Sequence, residues 1–270
     1  MILFLKYTFK NSYRFLTDKS YRTFLRLLIT KGNKRRYEPC RISIHGYEFK
    51  IPDALSFVWQ YKEIFVDKSY EFKTAVNNPI IIDCGANVGM SALFFSKRYP
   101  GATVVAFEAD PVISNYLKDN IEKNKISNVQ VINKAVWINN EELEFGSEGS
   151  DGGSIHSLSG KKIKIKSIRL KEVIESYISV DMLKMDIEGA EREVINDCID
   201  VLHKVKNIFI EYHDFFTDAQ YLSRLTAALE ENEFRYFISA THSKKTPMQP
   251  DLNGKGMDLQ LNIFATKLKD

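Results

Sequence analysis

Residues Pro79–Ser91 have the sequence PIIIDCGANVGMS, which is the clearest indication of the fold in this chain. Its isoleucine run, Ile80–Ile82, is short, apolar and β-branched, which predicts a buried strand of a parallel sheet. A glycine turn follows, and Met90–Lys97 is predicted to form a helix that stops near Pro100. A strand, a glycine turn and a helix in this order form the opening of a nucleotide-binding α/β unit.

The glycine turn differs from the dinucleotide fingerprint GxGxxG. The fingerprint needs a middle glycine close to a pyrophosphate, and this chain has Asn87 there, in the pattern DxGxNxG. Asp83 precedes the loop, which suits a cationic ligand without phosphate, such as S-adenosylmethionine, better than a pyrophosphate. We expect Gly85 to allow the sharp turn and Gly89 to let the helix start close to the strand.

The next two predicted strands supply the rest of a nucleoside site. Thr103–Phe107 is a strand that ends at Glu108, about 20 residues past the loop, where an acid can bind both ribose hydroxyls. Val129–Val136 is predicted to be the third strand. We expect its last four residues, Asn133–Val136, to meet the adenine, with Ala135 among the contacts.

Strands alternate with helices as far as the fifth strand, so the sheet is predicted to be parallel and doubly wound. The fourth strand is Val180–Met185 and the fifth is Asn207–Ile210. Phe234–Ile238 and Leu259–Thr266 are the last two, and the final strand is antiparallel because no helix precedes it. The predicted fold is therefore α/β, with a mostly parallel seven-stranded Rossmann-like sheet and an N-terminal helical and β-hairpin extension.

The beginning of the chain differs from the remainder in charge. The 270 residues carry a formal net charge of +3, but residues 1–36 hold ten lysines and arginines and one acid. We predict a basic amphipathic helix over 1–36, a hairpin and helical extension over 37–75, and the main domain over 76–270. Two interpretations of the helix stay open: residues 1–30 lie on an anionic membrane surface, or the helix packs against protein.

The cysteines and the short apolar segments bear on where the protein works. Cys40, Cys84 and Cys198 lack CxxC spacing, which argues against a zinc site or a disulfide framework and favours a reducing cytoplasm. Ile2–Leu5 is too short for a signal sequence. We expect a cytoplasmic protein, on the inner face of the membrane if the helix binds lipid. A net-acidic body argues against nucleic acid as a partner.

Ionisable residues gather where the predicted strands end, which is where such sheets bind ligands. His213 has an ordinary pKa near 6.5, so it is the candidate base that removes a proton from an acceptor hydroxyl, with Glu211 and Asp186 beside it. The same three residues, Asp186, Glu211 and His213, could instead hold a divalent cation that acidifies the hydroxyl. Glu191 is expected to offset the dipole of the helix that it starts.

Five stretches resemble the FkbM-like family of class I S-adenosylmethionine-dependent methyltransferases: IIIDCGANVGMS, AFEADP, DMLKMDIEGAE, IFIEYH and LQLNIFA. The resemblance runs from about Glu63 to Thr266 and implies methyl transfer to a hydroxyl, commonly on a sugar or natural product, so a carbohydrate or glycolipid acceptor is expected. With the spacing above, it predicts these cofactor-binding residues: Asp83, Gly85, Ala86, Asn87, Gly89, Glu108, Ala109, Ala135 and Asp186.

Two other functions stay open beside this one. A non-catalytic, membrane-associated module with the same fold would explain the basic N-terminal segment, but not the acids and the histidine that converge at the strand ends. An NAD-dependent oxidoreductase would share the α/β opening, but Asn87 argues against it. Leu143–Phe145 and Ile163–Ile168 are predicted to pair as strands around a Gly/Ser-rich segment, 146–154. This segment is either a loop that closes over the substrate or a solvated hairpin tip.

Overall fold

The computed structural model describes residues 13–147, 161–215, 219–241, 248 and 257–268. The chain forms two compact units that divide between Glu71 and Phe72. Residues 1–12 of the basic segment and most of the Gly/Ser-rich segment 146–154 lie outside the described residues, so the predictions made for them stay predictions.

The N-terminal unit contains a helix, a hairpin and a second helix. Its elements are α1 (Lys19–Lys31), β1 (Cys40–Ile44), β2 (Tyr47–Ile51), α2 (Ala54–Tyr61) and a π-helical turn (Lys62–Val66). The side chain of Asp18 caps α1 by accepting hydrogen bonds from the backbone N–H groups of Ser20 and Tyr21. The predicted hairpin is confirmed, and its turn residues His45 and Gly46 both have positive φ, as a tight hairpin turn requires.

Part of the apolar face of α1 packs against protein. Phe24 and Leu27 are buried, and the Phe24 ring lies 5.9 Å from the ring of Trp59 on α2. Phe15, Leu16 and Ile29 remain exposed. Among the described residues, no helix combines the length and the apolar composition needed to cross a bilayer.

The second unit is built on the predicted seven-stranded sheet. Its strands are β3 (Ile80–Cys84), β4 (Thr103–Phe107), β5 (Val129–Ile132), β9 (Met182–Met185), β10 (Asn207–Phe215), β11 (Phe234–Ala240) and β12 (Met257–Lys267). Their order is β11-β12-β10-β9-β3-β4-β5. β12 is antiparallel to both neighbours and every other pair is parallel, as the sequence predicts. Ile82, Val105 and Leu183 are buried at the centre of the sheet.

Helices connect these strands, and a smaller sheet follows β5. The helices are α3 (Met90–Arg98), α4 (Pro111–Lys123), α5 (Leu170–Glu175), α6 (Glu191–Cys198), continued by a 3₁₀ turn (Ile199–Lys204), and α7 (Leu222–Glu231). The smaller sheet contains β6 (Ala135–Trp137), β7 (Glu142–Ser147) and β8 (Lys161–Arg169), in the order β6-β8-β7. The predicted pairing of residues 143–145 with 163–168 is confirmed.

Two strand predictions need correction. The predicted third strand, Val129–Val136, is two strands, because the chain leaves the main sheet at Asn133. The side chain of Asn133 donates hydrogen bonds to the carbonyl oxygens of Glu108 and Ala109. The fifth strand does not end at Ile210 but continues to Phe215. β9 pairs with β10 only as far as Ile210, and the long antiparallel β12 pairs with the remainder.

Candidate active site

The site lies where the chain order across the sheet reverses. β3 has β4 on one side and β9 on the other, and each connection leaves toward its own edge of the sheet. A crevice opens at such a point beyond the carboxyl ends of the strands. The residues that follow β3 and β9 are Gly85 and Asp186, and they form two walls of this crevice.

Two glycines of the loop after β3 occupy positions that larger residues cannot take. Gly85 has φ +82°, and a Cβ there would lie 1.8 Å from the carbonyl oxygen of Asp186. Gly89 has φ +94° and precedes α3, where a Cβ would lie 2.7 Å from Cδ1 of Leu117 on α4. The positive φ of Gly85 agrees with the predicted sharp turn, whereas the close neighbour of Gly89 is α4 and not the strand for which the approach was predicted.

Glu108 connects the glycine loop to the start of α4 through hydrogen bonds. Its two carboxylate oxygens accept hydrogen bonds from the backbone N–H groups of Asn87 and Asp110, each at 2.9 Å. Asn87 has φ +50°, a left-handed conformation that asparagine tolerates better than most residues. Burial raises the pKa of Glu108 to about 7, although these two backbone hydrogen bonds lower it.

A cavity lies between this loop and the strand ends. Six of the nine predicted cofactor residues line it: Gly85, Asn87, Glu108, Ala109, Ala135 and Asp186. Asp83, Ala86 and Gly89 do not line it, and all three are buried. The remaining lining residues are Phe107, Asp110, Ile113, Lys134, Val136, Phe145, Ile187, Glu188 and Ala190.

Sequence reasoning missed Lys184, a lysine that is only 2% exposed inside β9. Its ammonium lies 3.6 Å from Oδ1 of Asp83 and 3.5 Å from Oδ2 of Asp186, and it donates to the carbonyl oxygen of Gly85 at 2.7 Å. Asp83, fully buried, also accepts a 2.6 Å hydrogen bond from Ser91. The sequence does contain a signal for Lys184, because a lysine in the middle of an apolar strand, MLKM, needs buried acids as partners.

His213 forms a buried pair with Glu191. Its Nδ1 lies 3.2 Å from Oε1 of Glu191, which is fully buried and also accepts from the backbone N–H groups of Ile187 and Gly189. Glu191 therefore does more than offset a helix dipole. Burial alone would lower the pKa of His213, but Glu191, together with Glu188 and Asp186, raises it to about 10.

The proton on His213 argues against its predicted role as the base that deprotonates the acceptor hydroxyl. At neutral pH His213 carries a proton, so it is poorly suited to accept another from a hydroxyl. Its side chain is 1% exposed, whereas that of Glu188 is 30% exposed and lines the cavity. Glu188 has φ +57°, a conformation that costs a residue with a Cβ free energy and that occurs often at functional sites.

The geometry also changes the candidate metal ligands. Asp186, Glu188 and His213 each offer one ligand atom, and these atoms lie within 4.8 Å of one another. Glu188, and not the predicted Glu211, is thus the third member of this group. Oε1 of Glu211 lies 3.9 Å from Nε2 of His213 and accepts a hydrogen bond from Gln260 on β12. A cation would have to displace the proton of His213, and its presence stays a prediction.

Comparison with known proteins identifies the family. The family model of the methyltransferase FkbM domain matches residues 83–236, more than half of the chain. Methyltransferase sdnD of Sordaria araneosa is 28% identical, over 56% of this chain and 73% of that protein. 2-O-methyltransferase NoeI of Sinorhizobium fredii is 26% identical, over 51% of this chain and 64% of that protein. Hexuronic acid methyltransferase AglP of Haloferax volcanii is 22% identical, over 65% of this chain and 74% of that protein. The chain belongs to the FkbM family of class I S-adenosylmethionine-dependent methyltransferases.

Proposed function

We propose that this protein is an O-methyltransferase that methylates a hydroxyl group of a sugar, in a glycan or glycolipid, from S-adenosylmethionine. The observation that carries the proposal is the single cavity in which the glycine loop and Glu108 face Asp186 and Glu188. Two relatives support parts of the proposal by name: a 2-O-methyltransferase supports transfer to oxygen, and a hexuronic acid methyltransferase supports a sugar acceptor. The chemistry of the lining residues supports it independently.

The lining residues fit the parts of S-adenosylmethionine. Both oxygens of Glu108 retain a second lone pair for ribose hydroxyls after binding the loop. Ala135, Val136 and Phe145 provide an apolar wall suited to an adenine ring. The turn at Gly85 leaves no side chain between the backbone and the ligand. When bound, the cofactor supplies a methyl group on a positively charged sulfur.

The acceptor side of the cavity is acidic. Asp186 and Glu188 can accept hydrogen bonds from sugar hydroxyls and so orient the nucleophilic oxygen, which is the main requirement of such a displacement. We propose that one of these two carboxylates receives the hydroxyl proton, and that the protonated His213 behind them holds Glu188, whose Oε2 lies 3.8 Å from its Nε2. Carboxylates repel an anionic acceptor, so neutral and amino sugars should react better than uronic acids.

Isothermal titration with S-adenosylhomocysteine tests the cofactor assignment. The native protein should bind it, and NADH should give no heat. Repeating the titration with magnesium or manganese ions tests the metal alternative, since a required cation should change affinity or turnover and a chelator should then inactivate the enzyme. Binding of NADH but not of S-adenosylhomocysteine would overturn the proposal in favour of an oxidoreductase. Binding without methyl transfer to any sugar would favour a non-catalytic module.

We also propose an anionic membrane surface as a partner of the N-terminal segment. Lys19, Arg22 and Arg26 lie at helical spacing on the exposed face of α1, with exposed Leu16 and Ile29 at its two ends. A basic face with apolar ends complements anionic lipid headgroups. If so, the protein would lie on the cytoplasmic face of a membrane, close to a glycolipid acceptor.

Vesicle flotation of the full chain tests this partner. Phosphatidylserine vesicles should recover more protein than phosphatidylcholine vesicles, and added salt should reduce the difference. Lys19→Glu with Arg26→Glu should abolish the preference, whereas Lys118→Glu with Lys123→Glu, the same charge change on exposed residues of α4, should leave it unchanged. Equal recovery with both lipids would show that α1 serves only for packing.

A further inference from the structure

We propose that Lys184 is a positioning residue of the cofactor site, which fixes the spacing between the glycine loop and Asp186. The inference rests on the proposed function and deepens it. Lys184 does not line the cavity, so its effect on the cofactor is exerted through the two walls that it joins.

The contacts of the ammonium run to both walls. From the end of β9 it donates across to the end of β3, to the carbonyl oxygens of Gly85 at 2.7 Å and Cys84 at 3.3 Å. It also lies 3.5 Å from Oδ2 of Asp186, the residue that follows β9. The two walls nearly touch elsewhere, since a Cβ on Gly85 would lie 1.8 Å from the carbonyl oxygen of Asp186. One charged group thus orients the loop backbone and the carboxylate together.

The charge of this lysine has a function that an apolar residue could not supply. A buried ammonium is costly unless acids and hydrogen bonds compensate it, and apolar replacements of such groups often stabilise a protein. Here Asp83 and Asp186 compensate the charge. The ammonium is thereby held between the carbonyl oxygen of Gly85 and the carboxylate of Asp186.

Removing the ammonium should weaken cofactor binding more than it harms the fold. Lys184→Met leaves the Gly85 carbonyl without this donor and leaves Asp186 free to rotate, so we expect a ten- to hundredfold loss of affinity for S-adenosylhomocysteine. Turnover should fall as well, because Asp186 also faces the acceptor. The KM for the sugar should change less than the KM for S-adenosylmethionine.

A second variant separates this role from a merely structural one. Lys184→Met leaves Asp83 as an unpaired buried acid, which lowers stability for a reason unrelated to the cofactor. Asp83→Asn removes that acid, so the double variant should recover the unfolding midpoint of Asp83→Asn alone. The affinity of the double variant for S-adenosylhomocysteine should still lie at least tenfold below that of Asp83→Asn.

Lys206→Met is the matched control. It breaks the 3.2 Å pair with Asp181 at the opposite end of the sheet, and it should bind S-adenosylhomocysteine normally.

The test is calorimetric titration with S-adenosylhomocysteine and thermal unfolding of the native protein, the two single variants Lys184→Met and Asp83→Asn, their double variant and the Lys206→Met control. Affinity that stays low in the double variant while its stability returns supports the positioning role. Affinity that returns with stability would overturn it and make Lys184 a structural residue. A native protein that fails to bind S-adenosylhomocysteine would refute the proposed function and this inference with it, whereas normal binding by the native protein and by Lys184→Met refutes the inference alone.

Discussion

Glu108 is the side chain on which the proposed cofactor site depends most. It binds the glycine loop, and burial raises its pKa to about 7, so its charge changes within the physiological range. Ribose hydroxyls donate to the ionised form. We therefore predict that affinity for S-adenosylhomocysteine rises about tenfold between pH 6 and pH 8, measured by calorimetric titration. Glu108→Gln should remove this pH dependence and bind weakly throughout, and a native affinity that is constant over the range would contradict the role.

His213 gives a prediction about stability. Its folded pKa, about 10, lies above its unfolded value of 6.5, so its contribution is fully present below pH 6.5 and is lost as pH rises toward 10. A shift of this size corresponds to about 3–5 kcal/mol. Denaturant unfolding at pH 6.5 and 9.5 should show a larger loss of unfolding free energy for the native protein than for His213→Gln. An equal loss in both would show that the Glu191 pair contributes little.

Residues whose partners are close in sequence could be predicted, and those with distant partners could not. Glu108 was found from its spacing to the glycine loop, because the length of a βα unit fixes that distance. Lys184 and Gly85 are far apart along the chain, and only the pairing of β3 with β9 brings them together. The proton on His213 likewise depends on Glu191, which comes from the start of α6, 22 residues earlier in the chain.

At the scale of elements, the turn after β3 controls the site through its backbone. Gly85→Ala would force a Cβ into the Asp186 carbonyl, so we predict loss of measurable S-adenosylhomocysteine binding and destabilisation of about 1–3 kcal/mol. Gly46→Ala is the control, because Gly46 has a similar φ of +86° with no atom within 4 Å of an added Cβ. It should cost some stability and leave binding intact. Binding by Gly85→Ala at the native level would show that the loop does not form the cofactor site.

Strand type and order were predictable, whereas some boundaries were not. The apolar runs and their alternation with helices predict the parallel sheet, and the missing helix before the last strand predicts that β12 is antiparallel. The extension of β10 to Phe215 depends on β12, which lies distant in sequence. That extension places Glu211 opposite Asn262, within the sheet, and leaves Glu188 nearer the cavity.

For the whole molecule, the sheet order places the loops after β3, β4 and β9 around one cavity that holds both an apolar wall and several carboxylates. We propose that this cavity holds the cofactor beside an acidic acceptor site. The family assignment gives the methyltransferase chemistry, and the acceptor is the part that remains a proposal.

The most direct measurement is methyl transfer itself. The protein should be incubated with S-adenosylmethionine carrying a ¹³C-labelled methyl group and a panel of neutral, amino and uronic-acid glycosides, and the products analysed by mass spectrometry. We predict a labelled methyl ether on a neutral or amino sugar, one S-adenosylhomocysteine per ether, and a rate at least a hundredfold lower in the Asp186→Asn, Glu188→Gln double variant. S-adenosylhomocysteine formed without any methyl ether, or label found only on nitrogen or carbon, would contradict the account.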